Sequence, residues 1–213
     1  MKKLESSLKN MALALTGFSV VAGALLGWVN DVTAEPIAQA NAKTLSDAIA
    51  VVVPGFDNNP AESPEVVEVN GVSYKIYKAT KGGKFVGAAV ESSSNGFGGA
   101  LTVLVGFDPD GNIIDYSLLS HAETPGLGSK AADWFKKGAK GDITGKNPGK
   151  APLTVSKDGG QIDAITASTI TSRAFLLAVN NAYAAYKDQN ADAVTGATQH
   201  AAPADSANVE TNK

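Results

Sequence analysis

The first feature of the hydrophobic pattern is an uncharged, largely apolar run over residues 11–29. Built as a helix at about 1.5 Å per residue, this run nearly spans a hydrocarbon core of about 30 Å. Asp31 and Glu35 follow it, and three lysines precede it, Lys2, Lys3 and Lys9. This charge asymmetry predicts a cytoplasmic segment over residues 1–10 and a transmembrane anchor over residues 11–30.

A cleaved signal peptide is the alternative for the same N-terminal region. Val32, Thr33 and Ala34 form a small-residue segment of the kind found at cleavage sites. The uncharged run is longer than the roughly 7–15 apolar residues of a typical signal peptide, so the pattern favours the anchor. Either interpretation places the remaining chain on the periplasmic or extracytoplasmic side of the cell membrane.

A second helical pattern lies between the apolar run and the first β-type segment. Apolar residues recur near helical spacing until Pro54 stops the pattern, namely Ile37, Ala40, Leu45, Ile49 and Val53. The residues that follow Pro54 are mostly polar. We therefore expect residues 31–63 to comprise an amphipathic helix followed by a linker.

Five segments rich in β-branched and aromatic residues come next, and short turn sequences separate several of them. These segments cover residues 65–69, 72–80, 85–92, 100–108 and 113–121. Asn-Gly and Asp-Gly pairs, at residues 70–71 and 110–111, are typical of turns between antiparallel strands. The pattern predicts an antiparallel sheet.

The last part of the pattern contains helices and a polar tail. Residues 129–137 predict a short helix, residues 153–156 a further strand, and residues 171–186 an amphipathic helix. Residues 188–213 have almost no large apolar side chain, which predicts a disordered tail. The expected fold class is α+β: a transmembrane helix, then an antiparallel-sheet domain over residues 64–187 with flanking helices.

Composition narrows the chemistry that such a domain can support. The chain has no cysteine and only two histidines, His121 and His200. Cysteine-ligated iron–sulfur clusters are excluded, and histidine-built metal or haem sites are disfavoured, so no metal site is expected. The net charge of −3 gives no broad field that would attract nucleic acid. If this protein carries electrons, an organic cofactor must hold them.

The strongest candidate site is the segment D-A-I-T-A-S-T-I-T-S at residues 163–172, which leads into the predicted amphipathic helix. A helix N-terminus offers unpaired N–H groups and partial positive charge, so it favours an anion such as phosphate. Helix capping by serine and threonine explains the same hydroxyl groups without any ligand. The spacing alone leaves both explanations open.

This segment resembles the flavinylation motif D-x-x-[S/T]-G-A-T of the FMN-binding domain family. The resemblance implies that a flavin transferase joins flavin mononucleotide (FMN) to Thr169 through a phosphoester bond, with Asp163 as the leading acid of the motif. It also implies that Ser168 and Thr171 contact the cofactor. Ala167 and Ser168 stand where the family has Gly and Ala. Ala167 disfavours the left-handed conformation that glycine adopts easily.

A second match to the motif lies in the predicted tail. Residues 192–198 read D-A-V-T-G-A-T and fit every motif position, with Thr198 as the acceptor. The family pattern continues past its acceptor as x-T-S and a helix, and only the segment around Thr169 has that continuation. The sequence therefore favours Thr169, while attachment at Thr198 instead of it or in addition to it stays open.

The segment H-A-E-T-P-G-L-G at residues 121–128 resembles the H-x-E-T-P-G-L-G signature of the same family. In that family the signature packs on the isoalloxazine ring, which implies cofactor contacts from Glu123, Thr124, Gly126 and Leu127. A turn punctuated by proline and glycine is the purely structural alternative. The glycine-rich turn at residues 96–99 also resembles the family but carries little weight alone.

The order of these features, up to about residue 187, is similar to the G subunits of the Rnf ion-translocating electron-transport complexes. This resemblance implies a flavin-bearing electron carrier in a ferredoxin:NAD oxidoreductase, whose partners are the other membrane and peripheral Rnf subunits. No catalytic acid, base or nucleophile is expected, and no independent catalytic activity. The C subunits of the sodium-pumping NADH:quinone reductases are the close alternative, and an exported flavin-binding or sensor module is the alternative from another class.

Overall fold

The structure is a computed structural model that describes residues 8–69 and 71–187. The predictions for the tail at 188–213, including Thr198, and for residues 1–7 fall outside the described residues. The chain divides into two compact units, with the boundary between Thr44 and Leu45. The second unit contains the sheet and the two sequence motifs around residues 121–128 and 163–172.

The predicted anchor and the predicted amphipathic helix form one continuous helix, α1 (Leu8–Val52). This helix contains a segment that is long and apolar enough to cross a membrane, and none of that segment is buried in the protein. Pro36 lies inside α1, where its ring removes one backbone N–H donor. The position is exposed, so water can bond to the carbonyl that loses its partner.

The predicted antiparallel sheet is confirmed. It has five strands in the order β1-β2-β3-β4-β5, and each strand pairs with its neighbour in sequence in antiparallel orientation. The strands are β1 (Glu65–Val69), β2 (Val72–Lys81), β3 (Lys84–Asn95), β4 (Ala100–Phe107) and β5 (Ile113–His121). This topology needs only short hairpin connections, as the turn signals in the sequence indicate.

Four strand ends differ from the sequence prediction: β2 and β3 each extend by one residue towards the turn between them, β3 continues past residue 92, and β4 ends one residue early. β3 continues past the predicted residue 92 because Ser93 pairs with Thr102 in the register of β3 and β4. β4 ends at Phe107 because the next residue, Asp108, begins a turn. Its carboxylate accepts hydrogen bonds from the N–H groups of Asp110 and Asn112, at 2.9 and 2.8 Å, an arrangement that favours a turn over a strand.

One face of the sheet packs against the helix α3 (Thr169–Tyr186). Phe175 of α3 lies at the centre of this core, with its ring stacked on Phe135 at 4.3 Å and edge-on to Tyr116 at 4.8 Å between centroids. Offset and edge-to-face pairs of this kind add to the stabilisation that burial of the rings already provides. The larger hydrophobic core therefore fixes the position of α3 on the sheet.

The opposite face of the sheet is covered near its centre by the C-terminal turns of α1. Ile49 and Val52 are fully buried there and pack against Tyr77 and Leu104. Gly106 permits this contact, because a Cβ atom at that position would lie 2.0 Å from the Val52 carbonyl oxygen. Ile37, which the sequence pattern placed on the same apolar stripe, is exposed.

The connection from β5 to α3 has less regular structure than the sequence predicts. The predicted helix at 129–137 is a 3₁₀ turn (Gly128–Lys130) followed by the one-turn helix α2 (Ala131–Trp134). The predicted strand at 153–156 is a single parallel bridge between Val155 and Ile162, because the chain turns back immediately through the 3₁₀ helix Ser156–Asp158. α3 begins at Thr169, two residues before the predicted start, because the Ser172 N–H already bonds to the Ser168 carbonyl.

Candidate functional site

A cavity of about 460 Å³ lies where three loops meet at the N-terminus of α3. The loop after β3 contributes Phe97, and the loop after β5 contributes Glu123, Thr124, Leu127 and Gly128. The start of α3 contributes residues 167–171. A second cavity of about 410 Å³, lined by loop residues between 145 and 162, contains neither motif. The first cavity is therefore the one that the sequence motifs share.

The buried carboxylate of Glu123 connects all three loops around the cavity. Its Oε1 atom accepts hydrogen bonds from the N–H groups of Phe97 at 2.8 Å and Gly98 at 3.3 Å. Its Oε2 atom accepts a hydrogen bond from the Thr171 hydroxyl at 2.8 Å. Glu123 is only 6% exposed and Thr171 is fully buried. A buried carboxylate is stable in a protein when donors surround it in this way.

Two glycines make room for this carboxylate. A Cβ atom on Gly96 would lie 1.9 Å from the Oε1 atom of Glu123, and one on Gly128 would lie 2.5 Å from its Oε2 atom. Either side chain would push the carboxylate away from its donors. Gly96 of the turn at 96–99 and Gly128 of the signature at 121–128 thus have a steric role, because they leave room for one acidic side chain.

The start of α3 is shaped by a left-handed residue and by a buried serine. Ala167 has a φ of 62°, and it is the only non-glycine residue with positive φ in the described parts of the chain. The Ser172 hydroxyl donates a hydrogen bond to the Ser168 carbonyl at 3.0 Å and accepts one from the Ile165 N–H at 2.9 Å. Residue 167 therefore has the conformation for which the family motif has glycine, although the chain has alanine there.

Thr169 lies at the first position of α3 and is half-buried at the cavity wall. The Lys157 ammonium donates a hydrogen bond to the Thr169 hydroxyl, with an Nζ–Oγ1 distance of 3.2 Å. The N-cap residue, Ser168, makes no capping hydrogen bond with its side chain. The first-turn N–H groups of α3 therefore remain free of a side-chain cap next to the hydroxyl and the ammonium.

An ion pair joins the 3₁₀ helix that carries Lys157 to the first turns of α3. The Arg173 guanidinium donates to both carboxylate oxygens of Asp158, at 2.6 and 2.7 Å. The hydrogen bond and the charge of Asp158 raise the pKa of Arg173. Bidentate pairs of this geometry are more rigid than single contacts between charged side chains.

The structure brings six of the seven sequence-predicted site residues to the cavity. They are Glu123, Thr124, Leu127, Ser168, Thr169 and Thr171. Gly126 does not line the cavity; it has a φ of 76° and its N–H donates to the Ser129 hydroxyl at 2.9 Å. Gly126 is therefore a turn residue, and it supports the loop that brings Thr124 and Leu127 to the cavity.

Phe97 in the cavity wall and Lys157, which contacts Thr169 outside that wall, were not among the predicted site residues. Phe97 is 71% exposed and forms part of the wall beside Leu127, which is 41% exposed. The resemblance of the turn at 96–99 to the family was the available signal for Phe97. Lys157 is twelve residues before Thr169, and nothing in its local sequence distinguishes it from the neighbouring lysines. Only the folded structure connects it to the acceptor hydroxyl.

Comparison with known proteins agrees with this geometry. The FMN-binding domain family matches residues 96–184. The G subunit of an ion-translocating oxidoreductase complex from Cereibacter sphaeroides is 37% identical, over 76% of this chain and 76% of that protein. The G subunit of a proton-translocating ferredoxin:NAD(+) oxidoreductase complex from Clostridium ljungdahlii is 34% identical, over 84% of this chain and 92% of that protein. The G subunit of an ion-translocating oxidoreductase complex from Yersinia pestis is 33% identical, over 83% of this chain and 88% of that protein.

One solved structure with a similar fold is the C subunit of the Na(+)-translocating NADH-quinone reductase from Parabacteroides distasonis. The two sequences are 20% identical, and the match covers 70% of this chain and 91% of that chain with a TM-score of 0.47.

Taken together, the antiparallel sheet, the cavity at the start of α3 and the match over residues 96–184 define an FMN-binding domain. The cofactor prediction, FMN, is thereby confirmed at the level of the domain. Over most of its length the chain belongs to the family of G subunits of ion-translocating oxidoreductase complexes. This membership confirms the resemblance to the Rnf G subunits.

Proposed function

We propose that this protein is the membrane-anchored, flavin-bearing electron carrier of an Rnf-type ferredoxin:NAD oxidoreductase complex, with FMN linked to Thr169. One observation carries the proposal. The same cavity joins Thr169, at the end of the acceptor motif, to Thr124 and Leu127 of the E-T-P-G-L-G loop. Two motifs that are separated in sequence thus line one cavity, and in the proposed site the acceptor motif would hold the phosphate and the E-T-P-G-L-G loop the ring.

The residues of the cavity fit FMN in size and in chemistry. About 460 Å³ lies within the usual range for small-molecule sites, which is roughly 300–1,000 Å³. The phosphate end has the uncapped start of α3 and the Lys157 ammonium, both suited to an anion. Phe97, Leu127 and Ile170 also line the cavity, and these apolar side chains would pack against the flavin ring.

The attachment converts the Thr169 hydroxyl to a phosphoester. The bond from Oγ1 to the flavin phosphorus forms, the hydroxyl proton is lost, and the leaving group departs from the phosphorus of an activated flavin nucleotide. A separate flavin transferase catalyses this reaction and supplies that nucleotide. The product is heavier than the unmodified chain by one FMN less one water. Because Thr169 is half-buried at the rim of the cavity, its hydroxyl is open to the transferase.

In electron transfer the bound FMN supplies the redox chemistry, and the protein positions it. Glu123 holds the loops of Phe97 and Thr171 in place through its hydrogen bonds, and Thr124 and Leu127 would contact the ring from the cavity wall. The covalent bond keeps the flavin at high effective concentration beside its cavity, so the domain needs little affinity for free FMN. The other Rnf subunits are the electron donors and acceptors.

The anchor and the topology complete the proposal. Residues 11–30 cross the membrane within α1, residues 1–10 stay in the cytoplasm, and residues 31–63 connect the anchor to the FMN-binding domain at 64–187. The lysines before the apolar run and the acids after it support an extracytoplasmic domain. The relatives are named as parts of multi-subunit oxidoreductase complexes, and the anchor holds the flavin near the corresponding partners.

Gel electrophoresis under denaturing conditions tests the attachment. The full-length protein, expressed together with the flavin transferase, should give a fluorescent band under ultraviolet light, because a phosphoester survives unfolding of the chain. Thr169→Val should abolish the fluorescence, and Thr198→Val should leave it unchanged. Fluorescence that persists in Thr169→Val and disappears in Thr198→Val would assign the flavin to the tail.

A further inference from the structure

Lys157 stands out among the lysines because its ammonium contacts the residue that we propose to carry FMN. Its Nζ atom lies 3.2 Å from the Thr169 hydroxyl oxygen. Lys157 is exposed, and none of the ion pairs within residues 8–69 and 71–187 includes it. A flexible cation is thus held beside the start of α3 without a carboxylate partner to neutralise it.

The neighbouring ion pair explains why Lys157 is in this place. Asp158, the next residue in the chain, forms the bidentate pair with Arg173 at 2.6 and 2.7 Å. Arg173 lies one helical turn after Thr169 on α3. The ion pair therefore fastens the 3₁₀ helix Ser156–Asp158 to the face of α3 that carries the acceptor hydroxyl, one turn further along.

We propose that Lys157 is the phosphate-binding residue of the site and that the Asp158–Arg173 pair is its positioning element. The proposal rests on the proposed function, attachment of FMN to Thr169. A phosphodiester keeps one negative charge at neutral pH, and a lysine ammonium is a compact partner for such a charge. The uncapped N–H groups of α3 supply further donors on the same side.

The contact serves the site both before and after the flavin is attached. Before attachment, the ammonium draws the phosphate of the incoming flavin nucleotide towards Thr169. After attachment, Oγ1 becomes an ester oxygen and a weaker acceptor, so the ammonium bonds to the free phosphate oxygens next to it. Both effects come from one charge at one position, and both are measurable.

The first test is the time course of flavin attachment. Full-length variants are expressed, the flavin transferase is then induced, and intact mass spectrometry follows the modified fraction. Lys157→Gln should slow attachment about tenfold, the loss expected when an exposed ammonium no longer bonds to a phosphate. Lys157→Arg should retain most of the wild-type rate. Lys150→Gln, which removes another exposed lysine from a neighbouring loop, should match the wild type.

The second test is ³¹P NMR of the flavin-modified protein and needs no activity assay. The ³¹P NMR signal of the phosphodiester should shift in Lys157→Gln and stay in place in Lys150→Gln.

The positioning role of the ion pair is tested by a double-mutant comparison of attachment rates. Arg173→Gln should slow attachment in the wild-type background and cause no further slowing when Lys157 is already glutamine. Such non-additivity is expected if the ion pair acts through Lys157, whereas a general structural role would slow both backgrounds equally.

The outcomes separate this proposal from the proposed function. A Lys157→Gln protein that is modified at the wild-type rate, with an unchanged ³¹P signal, overturns the role of Lys157 and leaves FMN on Thr169. Equal slowing by Arg173→Gln in both backgrounds overturns the positioning role. Absence of FMN from the wild-type protein, or its presence in Thr169→Val, overturns the proposed function and the role of Lys157 with it.

Discussion

The two sides of the cavity are built in different ways. On the inner side the carboxylate of Glu123 is buried and receives hydrogen bonds from Phe97, Gly98 and Thr171. On the outer side Thr169 is half-buried and Lys157 is exposed, and a single hydrogen bond of 3.2 Å joins them. The inner side is thus fixed by a network, while the outer side is open to solvent.

This difference separates two tasks that a covalent cofactor site has to perform. The ring needs walls that are in place before it arrives, because walls that are already ordered bind without the entropic cost of ordering them. The acceptor hydroxyl must instead be reached by a second protein. We therefore expect changes on the inner side to alter stability, and changes on the outer side to alter flavin attachment with little effect on stability.

The largest loss of stability is expected from Glu123→Ala. The change leaves the part-buried N–H groups of Phe97 and Gly98 and the buried Thr171 hydroxyl without their acceptor, which should cost about 3 kcal/mol in the free energy of unfolding. Urea unfolding of the full-length protein in detergent measures the effect. Glu123→Gln is the matched control and should cost less, because its amide oxygen can still accept a hydrogen bond. Equal stability of Glu123→Ala and the wild type would refute the network.

Thr171→Val is expected to have an intermediate effect. Valine has the same shape but removes the donor to the Glu123 carboxylate, at a fully buried position. The expected loss is about 1.5 kcal/mol, measured in the same unfolding experiment. Thr171→Ser keeps the hydroxyl and should lose less. Wild-type stability of Thr171→Val, with a loss in Thr171→Ser, would mean that the packing of the methyl group matters and the hydrogen bond does not.

Ala167→Gly should raise stability slightly. Ala167 has a φ of 62°, which costs an L-residue with a Cβ atom about 1–2 kcal/mol. Glycine removes that cost but loses more entropy on folding, so the expected net gain is about 0.5 kcal/mol. Ala164→Gly, at a position with negative φ, is the control and should lower stability. Loss of stability in both variants would mean that Ala167 is not strained.

Thr169→Val should have the smallest effect on the unmodified protein, no more than about 0.5 kcal/mol. The hydroxyl makes one exposed hydrogen bond to Lys157, and valine fits the same space. Unfolding of protein expressed without the transferase measures this effect. A large loss of stability would show that Thr169 belongs to the structural network of the inner side.

The sequence predicted the sheet well because its determinants are local. Both ends of β1 and of β5 agree with the predicted ranges, since β-type composition and glycine turns set them over a few residues. The continuous helix α1 was not predicted, because Pro36 usually ends a helix and only an exposed backbone allows it to continue.

The candidate site was predictable in part. The motifs gave the residues on either side of the cavity, but their contacts depend on distant parts of the chain. Glu123 binds Phe97 across 26 residues and Thr171 across 48, and Lys157 is placed by an ion pair to Arg173. A single sequence contains no local signal for such pairs. The left-handed conformation of Ala167 is the one that the glycine of the family motif favours, but the alanine in this chain made it unexpected.

The most direct test of the central claim is the mass of two proteolytic peptides from the purified full-length protein. One peptide spans residues 158–173 with Thr169, and the other spans residues 188–213 with Thr198. We predict that the first is heavier than its sequence mass by one FMN less one water, and that the second has its sequence mass. An unmodified first peptide from flavin-containing protein would contradict the assignment of FMN to Thr169.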